Sequence, residues 1–162
     1  MNTQQCIASN MDMTDFVMLS YLKDLSSAEL MTRPGPNCNH LAWQLGHLIN
    51  SEQQLLNAIL PGSAMPLPDG FGDKHSKEQK DNNDPKAFLT REEYIDLYKK
   101  SRQHTKAALA KLSDADCDKP NPMGWEMFPT VGVMVNLIAS HPMMHAGQFA
   151  VVRRALGKPV VI

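Results

Sequence analysis

Apolar residues recur at steps of three and four along four stretches of the chain, and no stretch alternates with the period of two that marks a strand. Met18, Leu22 and Leu25 follow the capping candidates Asp12 and Thr14 and predict a first helix over 12–26. After the breaker stretch Arg33-Pro34-Gly35-Pro36, Asn37 or Asn39 can open a second helix over 39–60. Leu41, Leu45, Leu48, Leu55 and Ile59 form its stripe, and Pro61-Gly62 ends it. Thr90 and Glu93 spell a capping box for a third helix over 90–112, where Tyr94, Leu97, Tyr98, Thr105, Leu109 and Leu112 repeat at helical spacing. Thr130 opens a fourth, over 130–156, with Gly157 and Pro159 as its stop signal.

Four amphipathic helices without strands predict an all-α fold, a four-helix bundle over 1–162 as one domain. Between the second and third helices, Pro61 to about Lys86 is rich in Pro, Gly, Asp, Asn and Lys and shows no sustained period. A connection of about 25 residues can run the length of a helix of roughly 20 residues, about 30 Å, so helices two and three can point the same way. The expected order is up-down-down-up, with this long crossover linker in the middle. Phe71 in the linker, and Trp125 and Phe128 in the loop before the fourth helix, are aromatic residues that could close over a site.

Composition narrows the function. With 16 Lys and Arg against 17 Asp and Glu, the net charge is −1, which offers no field for nucleic acid or anionic lipid. No apolar run is long enough to cross a bilayer, and the first residues lack a secretory signal's basic and apolar regions. Cys6, Cys38 and Cys117 are odd in number and contain no C-x-x-C pair, so neither a disulfide framework nor a thiolate metal site is signalled. A reducing cytoplasm is the expected location. The 11 methionines suit a bundle core.

Candidate chemistry lies in the histidines. In the fourth helix Met134, Ile138, His141, His145, Gln148, Val152 and Leu156 follow at steps of three or four, so His141 and His145 continue the apolar stripe one turn apart. Six histidines in 162 residues yield about 0.2 such pairs by chance, and two hydrogen-bonded core residues would show the same spacing. A shared divalent metal satisfies one nitrogen of each ring at once. His47, in mid-helix two with Trp43 and Ser51 on its face, offers a third ligand or else a partly exposed ring. His40, seven residues earlier, fits a ligand or a wall of the site, at a more exposed first turn; His75 and His104 read as surface residues.

Four neighbours bear on such a site. Pro142 removes one helical hydrogen bond and is expected to bend the last helix near Ile138. Gly147 would let another helix approach closely, and Gln148 could orient a ligand or a water. Glu52, Tyr21 and Gln148 are candidate wall residues, though packing or surface roles suit each as well.

The segments Arg33-Pro34-Gly35-Pro36 leading to LAWQLGHLINSE, the linker stretch LPDGFGDKH and the terminal HPMMHAGQFAVVRRALGKP together resemble the DinB/YfiT-like superfamily of small four-helix proteins. That resemblance implies an up-down-down-up bundle, often a homodimer, with a divalent metal on one histidine of helix two and on the H-x-x-x-H pair, and an all-imidazole ligand set suits several first-row ions, Zn or Ni foremost. These positions are His47, His141 and His145. Members of the superfamily include S-transferases that use low-molecular-weight thiols and a thiol-dependent maleylpyruvate isomerase. The implied role is a metal-dependent enzyme acting on a small-molecule substrate, with a thiol or water activated for S-transfer, isomerisation or hydrolysis. The competing expectation is a non-catalytic metal-binding or stress-related bundle.

Overall fold

A computed structural model describes all residues 1–162 and is helical, with four long helices. They are α1 (Thr3–Leu22), α2 (Leu41–Ile59), α3 (Arg91–Leu109) and α4 (Val131–Ala155). Two single-turn helices, Phe71–Lys74 and Asp114–Cys117, lie in the connections.

Capping chemistry sets the boundaries. Thr90 accepts from the Glu93 amide while Glu93 reaches back to Thr90, and Thr130 caps α4 through Val133, both as expected. α1 instead begins nine residues before the expected 12, because Asn2 and Gln5 make their own capping box. The polar run Gln4, Gln5, Ser9 and Asn10 hides that first half from a search for apolar periodicity, although Met11 is fully buried. Asp12 and Thr14 are therefore interior, and Thr14 is buried with its hydroxyl 3.0 Å from the Ala139 carbonyl. α2 is capped by neither Asn37 nor Asn39. Asn37 takes a left-handed conformation in the preceding turn (φ 61°), and the His40 ring accepts from the Trp43 amide.

The core has two parts. Met18, Leu22, Leu41, Leu45, Tyr94, Tyr98, Phe149 and Val152 pack in one, and Met11, Leu56, Ile59, Leu109, Met134 and Ile138 in the other. Residues that bond between helices follow a regular order. His75 contacts Gly46 and Tyr94 together, while Gln53 reaches Ser101 and Thr105. Asn10 reaches Ser140, and the Tyr21 carbonyl takes Arg153. Gln44 meets His145, and Ser51 meets His141.

The linker is far from featureless. Phe71 and His75 are buried, and Trp43 Nε1 donates to the Ser76 carbonyl at 3.0 Å. Arg33 bonds the Cys38 carbonyl on one side and the Lys80 carbonyl and Asn83 on the other, so the breaker turn and the linker are tied together. No helix is long and apolar enough to cross a membrane.

Candidate metal centre

α2 contributes His47 and α4 contributes His141 and His145, and one ring nitrogen from each lies within 4.8 Å of the other two. The rings stand 5.3 Å (His47–His141), 5.5 Å (His47–His145) and 5.0 Å (His141–His145) apart, tilted or edge-on rather than stacked on each other. All three are half-buried, at the seam where α2 meets α4. His47 is held flat against the Trp43 indole, with ring centroids 5.0 Å apart and planes 7° from parallel. That indole holds Ser76, so the linker braces His47 indirectly.

The outer nitrogens have partners. Gln44, 1% exposed, donates through Nε2 to the Asn39 carbonyl at 2.7 Å and to Gln148 Oε1 at 2.9 Å. Its Oε1 therefore points at His145 Nδ1, 2.9 Å away, which must carry the proton. The Nε2 lone pair of His145 is left for the cluster. Ser51 Oγ donates to the Leu48 carbonyl and lies 3.4 Å from His141 Nδ1, favouring the same tautomer there. Metal-bound imidazoles are oriented in this way by partners on the far nitrogen.

Electrostatics agree with that donor set. Burial pushes His141 down to about 4, helped by His47, and pushes His145 to about 3, helped by His141 and His47. His47 is lowered by burial and then by Lys77. Near neutral pH the three rings are uncharged, and each keeps a lone pair to donate. Three neutral imidazoles around one point are a donor set that could bind a divalent ion and leave positions open for exogenous ligands.

Residues 13–149 match the DinB superfamily. The chain belongs to that superfamily. A crystal structure described as the conserved protein of locus from Enterococcus faecalis shares the fold, with TM-score 0.74 and 20% identity over 98% of this chain and 99% of that one. A comparison with curated proteins returns no match.

Several sequence expectations change inside this DinB bundle. His40 is neither an exposed residue nor at the cluster. It is fully buried, with Nδ1 accepting from Trp43 N and Nε2 3.0 Å from the Asn82 carbonyl. His75 is not a surface residue either: it is 2% exposed, donating from Nδ1 to the Phe71 carbonyl at 2.8 Å and accepting from the Tyr94 hydroxyl at 2.6 Å. Burial raises the Tyr94 phenol and pushes His75 down to about 4, so the tyrosine keeps the proton it donates. His104 is exposed, as expected, with Nε2 2.6 Å from the Ser63 carbonyl.

Among the candidate wall residues, Tyr21 sits beside Arg153 at the far end of α1. Glu52 is buried, not on the surface, and its carboxylate takes Arg102 at 2.7 Å, Thr105 at 2.6 Å and Ser101 at 3.1 Å. Gln148 acts at one remove, by fixing Gln44. Gly147 faces open space, so it serves no close helix approach. Phe128 packs against the core part that contains Leu109 and Val131, and Phe71 packs beneath His75 with centroids 4.3 Å apart; the rings of His47, His141 and His145 meet Trp43 and one another instead. Gln44 was missed in the sequence because a glutamine inside an apolar run carries no periodic signal of its own.

Proposed function

We propose that His47, His141 and His145 hold a divalent metal ion, Zn or Ni foremost, and that this DinB protein is a metal-dependent transferase, isomerase or hydrolase for a small molecule. The observation that carries the reading is the convergence of three neutral imidazoles within 4.8 Å, with Gln44 and Ser51 on the outer nitrogens. An ion held there supplies Lewis acidity that makes a low-molecular-weight thiol or a water nucleophilic near neutral pH. The chain's own residues orient the ligands: Gln44 and Ser51 select the tautomers, and Trp43 fixes the His47 plane. No side chain supplies an evident general base, since Glu52 is fully engaged with Arg102, Thr105 and Ser101. The species that a bound ion would activate is therefore a thiol or a water rather than a protein nucleophile.

The same reading includes one domain over 1–162 in up-down-down-up order. Its support is the pairing of Gly46 with Tyr94 through His75 and of Gln53 with Ser101, which advance together along α2 and α3. The pairing of Gln44 with His145 and of Ser51 with His141 runs in opposite senses along α2 and α4. We further read the protein as a cytoplasmic homodimer. Met13 and Phe16 of α1, 56% and 64% exposed, and Met144 and Val151 of α4, 68% and 45% exposed, leave apolar side chains in solvent on two helices that pack together.

The experiment is a screen of metal-loaded protein with small thiols and electrophilic acceptors, and with hydrolysable esters and amides, each repeated after chelation. Turnover that disappears on chelation and returns with Zn or Ni is the expected result. Metal-loaded protein inert across the panel would move the reading to a non-catalytic metal-binding bundle.

A further inference from the structure

We infer that Arg102 is the positioning residue of the three-histidine cluster: its guanidinium replaces the helical hydrogen bond that Pro142 removes and thereby sets where α4 carries His141 against α2. Pro142 lies inside α4 and has no amide hydrogen, so the Ile138 carbonyl four residues earlier loses its partner. That carbonyl is not left to water. Arg102 Nη1 donates to it at 3.1 Å, and Nη2 approaches the next carbonyl, Ala139, at 3.4 Å.

The remaining donors reach two other helices. Nε bonds Asp15 at 2.6 Å, Nη1 bonds Glu52 at 2.7 Å and Nη2 bonds Thr14 at 3.0 Å. Five N–H groups thus meet five acceptors on α1, α2 and α4, from a side chain on α3 that is 2% exposed. Two of those contacts sit next to the cluster. Ile138 is one turn before His141, and Glu52 adjoins Ser51, whose hydroxyl faces His141. The guanidinium therefore spans from the helix that carries His47 to the turn of α4 that precedes His141. A lysine keeps the charge but has three donors from one nitrogen, and cannot serve Asp15, Glu52 and Ile138 in the same fork geometry.

The test is a double-mutant cycle on Arg102→Lys and Pro142→Ala, read in two ways. Zn2+ affinity is measured by competition with a chromophoric chelator, and in metal-free protein the NMR cross-peaks between the ring protons of His47 and His141 are followed. Pro142→Ala restores an amide donor for the Ile138 carbonyl, so Arg102 is needed less. Arg102→Lys alone is expected to weaken Zn2+ binding at least tenfold and to remove the cross-peaks while circular dichroism still reports a helical protein. In the Pro142→Ala background the loss shrinks to about threefold or less and the cross-peaks persist.

Equal losses in both backgrounds, or unchanged affinity and cross-peaks in Arg102→Lys, would overturn the inference. Should Arg102→Lys not fold, Thr14→Val takes its place in the cycle, since it deletes the hydroxyl that contacts both Arg102 and the Ala139 carbonyl. The affinity arm rests on the metal reading and the metal-free arm does not. Wild-type protein with the cross-peaks but no Zn2+ uptake would therefore refute metal binding while leaving the role of Arg102 to the NMR result.

Discussion

At His145 the direction of one buried amide decides which ring nitrogen faces the cluster. Gln44 gives its NH2 to two carbonyl oxygens, so its own oxygen must receive from His145 Nδ1. Gln44→Ala is expected to leave the helical content unchanged and to weaken metal binding about 10- to 100-fold in a chelator competition; unchanged affinity would contradict the tautomer assignment. Protonation gives a second prediction. His40, His47, His75, His141 and His145 all titrate below the ordinary 6.5 in the folded chain, with His75 and His141 near 4 and His145 near 3, chiefly because burial disfavours their cations. Below 6.5 the unfolded chain takes up protons that the folded chain refuses, so folding stability is full above that pH and falls as pH drops towards the folded values. Urea titrations of metal-free protein should show the midpoint falling from about pH 6.5 to 4; a midpoint that rises on acidification would contradict it. The three cluster histidines were legible from spacing and family resemblance. The burial of His40 and His75 was not, because a polar residue beside a loop carries no sign of what folds over it.

Among the elements, the linker departs furthest from its sequence. Its composition predicts an open connection, yet His75 lies against α2 so closely that a Cβ on Gly46 would fall 1.9 Å from the ring. With no Cβ, Gly46 lets the His75 ring of the linker lie against the α2 backbone. Gly46→Ala should expel the ring, break its bond to Tyr94 and cost about 1–3 kcal/mol, read as a lower urea midpoint. A substitution as neutral as an ordinary Gly→Ala change in a helix would show that the strap is not seated there. Both capping residues at Thr90 and Thr130 were readable because Ser/Thr caps act locally. The start of α1 was not, since Asn2 and Gln5 form an equally local box outside the apolar repeat. Pro142 was expected to bend α4, but the buried arginine that answers its missing bond comes from a helix 40 residues away in sequence, beyond the reach of any local pattern.

For the whole molecule, the two core parts and the Arg102 network join all four helices without help from a metal. Chelation should therefore leave far-ultraviolet dichroism intact and reduce the unfolding free energy only by the binding linkage, about 4 kcal/mol at a metal concentration 1,000 times Kd, seen as a modest fall in melting temperature. Unfolding on chelation would mark the site as structural. If the exposed apolar residues of α1 and α4 join two copies, Phe16→Asp should convert a dimer to a monomer in sedimentation velocity, whereas an unchanged mass would place any interface elsewhere. The measurement that bears most directly on the account is metal content by mass spectrometry of untagged protein, beside His47→Ala and His145→Ala. A metal centre on these histidines requires close to one Zn or Ni per chain in the wild type and its loss in both variants; a wild type that takes up no metal even after reconstitution, or variants that keep it, would contradict it.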